Sequence, residues 1–209
     1  MTDRLIVAYL RALLPFTTVL LIAAAAFEAY RGAYVATSFI VAYLLWILGE
    51  SRITVNQPRE SSAEHRTLPL YATARVATAL TGALWPVATT TFLWWQLAPI
   101  VAFVAGVALR TWSIRTLGTF YSHHVVTYSD HRIVTTGPYQ VLRHPAYTGM
   151  LLANLGFVIF FHNVASAVCF VTLVCVIVWR MLVEEKVLMS VDGYAEFAAT
   201  RRRLIPAVW

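Results

Sequence analysis

The sequence predicts an all-α fold, a polytopic transmembrane helical bundle of about six spans within one domain. Two features of composition lead to this fold class. Of the 209 residues, 59% are hydrophobic and only 12% are charged, whereas soluble domains are roughly 45–50% apolar and about 25% charged. Besides composition, the apolar residues form long runs that are separated by short polar segments. The net charge of +6 lies in those polar segments, which favours a membrane topology signal over a nucleic-acid partner.

Six apolar segments can be followed along the chain. A membrane-spanning helix needs roughly 20 residues, and the fifth segment is shorter, so we expect it to be tilted or only partly inserted. The pair His162–Asn163 predicts a tight turn between the fifth and sixth segments. The segments cover residues 5–27, 33–49, 71–95, 97–117, 146–161 and 164–183.

Basic residues indicate the orientation of these segments. Of the 16 basic residues, nine lie in the loop 50–70, in the segment 118–147 and in the tail from Lys186 onward, whereas the loops of the opposite face have only Arg31. Cytoplasmic loops carry the excess of arginine and lysine, so both termini and both long loops are predicted to be cytoplasmic. We divide the single membrane domain, 1–209, into N-terminal membrane helices, 1–95, and a core, 97–209, that holds the candidate functional residues.

The first candidate group surrounds the start of the fifth segment. Gly137-Pro138 is a turn signal, and Pro145 is suited to the first position of a helix. His144 would then lie at the cap, beside free backbone N–H groups that attract an anion such as the carboxylate of a methionine moiety. The alternative is an ordinary helix start with a surface histidine, and spacing leaves both open.

The second candidate group lies at the end of the sixth segment. Arg180 and Glu184 are four residues apart and share a helix face, and Glu185 follows directly. Ionisable residues within a span indicate function, although an arginine that extends to the interface beside an intrahelical ion pair is the alternative. Arg75 is expected to anchor at the interface and Arg110 to extend toward it. No set of histidine, cysteine and carboxylate residues has metal-ligand spacing, so no metal site is expected.

Together the two groups resemble the signature of the isoprenylcysteine carboxyl methyltransferase family. The first part is residues 131–139, HRIVTTGPY, followed by 143–149, RHPAYTG. The second part is Trp179-Arg180, Glu184-Glu185, Tyr194 and the RLIP run at 203–206. The resemblance covers residues 118–206, and the first helices match only in being apolar. It implies a membrane methyltransferase that uses S-adenosylmethionine, with a cytoplasmic-side cofactor pocket built from the C-terminal half.

The resemblance also implies functions for individual residues. Arg180 and Glu184 would be catalytic, with Arg180 facing the carboxylate of the acceptor. The run 190–193 before Tyr194 is less acidic than in the family, which leaves the contacts of the tail open. The residues implied to bind S-adenosylmethionine and its product S-adenosylhomocysteine are Thr127, His131, Arg132, Ile133, Val134, Gly137, Tyr139, His144, Glu184 and Glu185.

The chemistry of the acceptor favours an acidic oxygen. A carboxylate is already ionised at pH 7 and needs no general base, and an arginine can hold it through two hydrogen bonds. An amine would need deprotonation, by His144 or Glu184. We therefore expect methylation of a lipid-like or isoprenoid acceptor that enters from the bilayer, with no obligate protein partner. Three alternatives stay open: a phospholipid amine N-methyltransferase, an NADPH-dependent sterol-type reductase, and a small transporter.

Overall fold

The computed structural model describes residues 3–55, 67–118 and 133–206. Within these ranges the chain forms seven α-helices and no β-strand, apart from one isolated bridge, which confirms the predicted all-α class. Short 3₁₀ turns, Trp94–Gln96 and Gly137–Gln140, precede two of the helices. The helices are α1 Asp3–Tyr30, α2 Tyr34–Val55, α3 Thr67–Ala83, α4 Leu97–Leu117, α5 Pro145–Phe161, α6 Val164–Leu188 and α7 Tyr194–Thr200.

The lengths of the helices follow the apolar segments closely. Helices α1, α2, α4 and α6 are long and apolar enough to cross a membrane. Helix α5 has 17 residues, or about 25 Å, short of the roughly 30 Å hydrocarbon layer, which confirms the predicted short fifth segment. The third segment was expected to continue to Trp95, and this is wrong because α3 ends at Ala83. Pro86 disfavours a helical conformation at Trp85, so the chain leaves the helix there.

The six long helices alternate in direction. At one end of the bundle, Glu50 near the end of α2 binds Arg75 of α3 and Arg110 near the end of α4. At the other end, Asn163 before α6 donates to the carbonyl of Thr81 at the end of α3, at 3.1 Å. We call the first end the charged end. This arrangement brings the end of α6 and the start of α5 together at the charged end.

Helices α4 and α5 are in direct backbone contact. A Cβ atom added to Gly149 would lie 2.6 Å from both the nitrogen of Arg110 and the carbonyl oxygen of Gly106, and one added to Gly106 would overlap the backbone of Ala153. Any larger side chain would force the two helices apart. Glycine at both positions therefore fixes the start of α5, where the candidate residues begin, against α4.

Two apolar clusters hold the bundle together. The larger joins α2, α4 and α5 through edge-to-face and tilted aromatic contacts, such as Phe39 with Phe103 and Tyr43 with Phe157. Such pairs stabilise the core beyond the area that they bury. The smaller cluster lies beside α7 at the charged end, and its buried members are Tyr139, Tyr194, Phe197 and Ala198.

Candidate active site

A chain of hydrogen bonds joins α3, α5 and α6 at the charged end. The Nε of Arg180 donates to the hydroxyl of Tyr147 at 3.2 Å, and that hydroxyl donates to Oε2 of Glu184 at 2.8 Å. Arg180 also donates from Nη1 to Oγ1 of Thr67 at 2.9 Å, and its guanidinium lies 5.9 Å from the ring centre of Tyr71. Arg180 is only 4% exposed. Arg180 therefore does not extend to the interface, and Tyr147 links it to Glu184.

Glu185 has a different environment, although it is the next residue. Its Oε1 lies 3.1 Å from Nη1 of Arg143 and 3.2 Å from Nε2 of His144, and its Oε2 accepts from Nε of Arg203 at 2.8 Å. Glu185 is 4% exposed. Both carboxylate oxygens are thus bound by side chains of the protein, and they tie the end of α6 to the start of α5 and to the tail. A direct contact of Glu185 with a cofactor stays a prediction.

The C-terminal tail covers the start of α5 through backbone hydrogen bonds. The backbone nitrogen of Arg143 donates to the carbonyl of Arg202 at 2.7 Å, and the backbone nitrogen of His144 donates to the carbonyl of Arg203 at 3.1 Å. Further along, Oγ1 of Thr148 donates to the carbonyl of Leu204 at 2.7 Å. These bonds satisfy backbone groups near the helix start that would otherwise lack partners. The tail is therefore part of the site and not a loose terminus.

An aromatic wall lies beside the two carboxylates. Tyr139 and Tyr194 are buried, and Ile133 and Val134 pack against them. The hydroxyl of Tyr194 is buried and has no hydrogen-bond partner among the described residues. Burial raises the pKa of Tyr194, and the negative charges of nearby carboxylates raise it further. The phenol is therefore a neutral donor within an apolar surface.

Apart from Glu184 and Glu185, the predicted cofactor residues fall into two sets. The first set runs from just before the 3₁₀ turn to the start of α5: Ile133, Val134, Gly137, Tyr139 and His144. Gly137 has a φ of +57°, a conformation that favours glycine. His144 is the N-cap residue of α5, but its ring contacts Glu185 and its side chain does not cap the helix. The other predicted residues, Thr127, His131 and Arg132, lie outside the described residues.

Sequence reasoning missed the buried charges next to this site. Glu50 accepts from Nη1 of Arg75 at 2.6 Å and also from Arg110, and Arg110 is 2% exposed. Arg75 was expected to anchor at the membrane interface and Arg110 to extend toward it. Both expectations are wrong, because Glu50 supplies a buried counter-charge within the bundle. Arg110 also donates to the carbonyl of Ala146 at 3.1 Å, one residue before Tyr147.

Sequence reasoning also missed Tyr147, although one signal was present. Tyr147 lies three residues after His144, so both fall on the same face of α5, and their rings are 5.8 Å apart. Thr67 had no such signal, because its contact with Arg180 joins residues 113 positions apart.

Across the described residues, no three histidine, cysteine, aspartate or glutamate side chains are grouped so as to hold a metal ion.

Known sequences match the region that carries the central part of this site. Residues 98–190 match the sequence model of the isoprenylcysteine carboxyl methyltransferase family. The chain is 33% identical over 94 residues to protein-S-isoprenylcysteine O-methyltransferase B of Arabidopsis thaliana, covering 44% of this chain and 46% of the relative. The A form from the same plant is 31% identical over 125 residues, 55% of this chain and 61% of the relative.

The match extends beyond plants. Protein-S-isoprenylcysteine O-methyltransferase of Saccharomyces cerevisiae is 36% identical over 94 residues, 42% of this chain and 38% of that protein. The chain thus spans about half the length of the curated relatives that it matches, from 38% to 61% in these three. The residues that match the family model, 98–190, contain α5, α6 and all but the first residue of α4, and therefore Tyr147, Arg180, Glu184 and Glu185.

Proposed function

We propose that the chain, whose residues 98–190 match the isoprenylcysteine carboxyl methyltransferase family, transfers a methyl group from S-adenosylmethionine to the carboxylate of a prenylated cysteine in the membrane. The observation that carries this proposal is the part-buried hydrogen-bonded chain of Arg180, Tyr147 and Glu184. It holds a cation for an acidic acceptor and a carboxylate for the hydroxyl or ammonium groups of a cofactor within one hydrogen-bonded unit.

Arg180 is the residue proposed to bind the acceptor. Its guanidinium is permanently charged and planar, so it suits a carboxylate better than lysine would. Burial strengthens that attraction, because the effective dielectric constant inside the bundle is lower than in water. Thr67 and Tyr147 form hydrogen bonds with the guanidinium, and the ring centre of Tyr71 lies 5.9 Å from it. The orientation of the acceptor carboxylate is therefore fixed before the reaction, which is the main source of acceleration in a displacement between two bound partners.

Glu184 and the aromatic wall are proposed to hold the cofactor. A carboxylate can accept hydrogen bonds from hydroxyl or ammonium groups, and Glu184 is half-buried beside the wall of Tyr139, Tyr194, Ile133 and Val134. The hydroxyl of Tyr194, which has no hydrogen-bond partner in the described part of the chain, is a further donor in that wall. These groups fit an adenosyl and amino-acid ligand, which has both an apolar ring system and polar ends. When bound, S-adenosylmethionine would supply the methyl group as a sulfonium.

No side chain needs to act as a general base in this reaction. An α-carboxyl group has a pKa of about 3.3–3.7 and is ionised at neutral pH. Among the described residues, the histidine at this site is His144, and its ring lies against Glu185, so it has a structural partner already. Arg180 and Glu184 would therefore act by binding and orienting, while the acceptor carboxylate itself attacks the methyl carbon.

The charged end is proposed to face the cytoplasm. It carries a cluster of basic residues in the last turn of α6, before α5 and in the tail, and such an excess marks the cytoplasmic side. A soluble cofactor would then enter from water, whereas the isoprenoid chain of the acceptor would enter between helices from the bilayer. The clustered residues are Arg143, Lys186, Arg201, Arg202 and Arg203.

We also propose that residues 97–209 form the methyltransferase core and that residues 1–95 support it. The support is direct, because Thr67 and Tyr71 of α3 contact Arg180. The core thus holds the reacting groups, and α3 closes one side of the acceptor position.

Methyl transfer can be measured on the purified protein with S-adenosylmethionine that is labelled in its methyl group. The acceptors would be N-acetyl-S-farnesylcysteine and, for comparison, phosphatidylethanolamine. A methyl ester releases labelled methanol in mild base, whereas an N-methyl group does not. We expect base-labile label on the farnesylcysteine only. Base-stable label on phosphatidylethanolamine would instead assign the protein as an N-methyltransferase.

A further inference from the structure

We propose that Tyr147 is a positioning residue that couples binding of the acceptor to binding of the cofactor. The inference rests on the proposed function, in which Arg180 contacts the acceptor and Glu184 contacts the cofactor. The phenol of Tyr147 lies between them, at 3.2 Å from Nε of Arg180 and 2.8 Å from Oε2 of Glu184. A change in the position of either charged group therefore reaches the other through a single oxygen atom.

The direction of the two hydrogen bonds is determined by chemistry. A guanidinium can only donate, an ionised carboxylate can only accept, and a phenol has one proton with lone pairs to accept another. Tyr147 must therefore accept from Arg180 and donate to Glu184. Hydrogen bonds in such a series polarise and strengthen one another. A ligand that fixes Arg180 in this position thus strengthens the bond that orients Glu184, and the converse also holds.

The backbone that carries Tyr147 is held firmly. The preceding residue, Ala146, accepts from Nη1 of Arg110 at 3.1 Å. Gly149, two residues later, packs against the backbone of α4 so tightly that a Cβ atom would lie 2.6 Å from the nitrogen of Arg110. Because α5 is fixed on both sides of Tyr147, the phenol cannot follow one charged group without affecting its bond to the other.

Removal of the phenol oxygen should abolish the coupling and leave the two binding positions in place. Tyr147→Phe keeps the ring but leaves Nε of Arg180 and Oε2 of Glu184 without this shared partner. In the wild type, we expect saturating N-acetyl-S-farnesylcysteine to lower the Kd of S-adenosylhomocysteine about fivefold or more, the usual lower bound for coupled sites. In Tyr147→Phe, the ratio of the two Kd values should fall to about one.

The experiment is calorimetric titration of S-adenosylhomocysteine into the full-length protein in detergent, with and without the farnesylcysteine. Tyr9→Phe is the matched control and should keep the wild-type ratio. It removes an exposed hydroxyl outside the site, which forms a hydrogen bond of 2.6 Å with Oγ1 of Thr73. Arg180→Lys keeps a cation but loses the Nε–H, so its ratio should also fall to about one at a farnesylcysteine concentration that saturates this variant. That variant gives a second test should Tyr147→Phe fail to fold.

The possible failures can be distinguished. A wild-type protein that does not bind S-adenosylhomocysteine at all would overturn the proposed function, and the coupling with it. A wild-type protein that binds it, but with the same Kd in both conditions, would overturn the coupling alone. A wild-type ratio that persists in Tyr147→Phe would show that the phenol does not connect the two positions.

Discussion

Replacement of Glu50 by glutamine tests how the charged end is stabilised. Glu50 joins α2 to Arg75 of α3 and to Arg110 of α4, and all three side chains are buried. Glutamine keeps the size of the side chain and one oxygen that can accept, but it removes the negative charge. Two buried guanidinium groups would then face a neutral amide.

The structure sets the size of the expected effect. Breaking a buried ion pair on one side costs about 3–5 kcal/mol, because a charge is left in a medium of low polarity. Arg75 is the more sensitive partner, since its Nε and Nη2 are buried with no hydrogen-bond partner among the described residues. Its contact with the ring of Trp46, at 4.2 Å, replaces only a part of the lost attraction. In a chain of this length the cost lowers the Tm by roughly 6–20 °C.

Thermal unfolding of the detergent-purified protein, followed by tryptophan fluorescence, measures this effect. Glu196→Gln is the matched control, since Glu196 is exposed on α7 and its neutralisation should change the Tm by about 2 °C or less. The double variant Glu50→Gln, Arg75→Met removes one of the two buried cations that Glu50 binds and should recover part of the lost stability. A Glu50→Gln protein that unfolds within 2 °C of the wild type would refute the assignment of Glu50 as the required counter-charge.

Four further predictions follow from the site. Glu184→Gln should weaken binding of S-adenosylhomocysteine roughly tenfold or more with little change in Tm. Glu185→Gln should instead lower the Tm, because it loosens the contacts with Arg143 and the tail. If both variants changed the Kd and the Tm equally, the separate functions of the two glutamates would be contradicted. The rate of methyl transfer should be flat from about pH 6 to pH 9, since the acceptor carboxylate is already ionised; a rise of about tenfold per pH unit would indicate an amine. Tyr194→Phe removes a buried hydroxyl that has no hydrogen-bond partner within residues 3–55, 67–118 and 133–206, and it should keep or raise the Tm. Because the pKa of Tyr194 is raised, the folded state keeps the phenol proton above about pH 10 while the unfolded chain loses it. The free energy of unfolding of the wild type therefore falls as the pH rises above that value, and this fall should be smaller in Tyr194→Phe. Gly149→Ala should lower the Tm by several degrees, because its Cβ would overlap the backbone of α4.

The sequence contains most of the information about the helices, because their limits depend on local chemistry. Pro145 begins α5 as expected for the first helical position, and the His162–Asn163 turn separates α5 from α6. The fourth segment has the predicted limits, 97–117. Only the third was overestimated, since apolar residues after Ala83 continue the hydrophobic run without continuing the helix.

The site could be predicted only where its contacts lie along one helix. Arg180 and Glu184 share a face because they are four residues apart, and the different environments of Glu184 and Glu185 follow from the rotation of about 100° per residue. The partners of Arg75 and Arg110 could not be found in this way. Glu50 is 25 and 60 residues away from them, so only the packing of three helices brings these charges together.

The central claim is that the charged end holds an S-adenosyl cofactor, and calorimetric titration of the wild-type protein with two ligands tests it most directly. We predict saturable binding of S-adenosylhomocysteine and none of NADPH. Binding of NADPH alone, or of neither ligand, would contradict the methyltransferase assignment and leave only the membrane architecture in place.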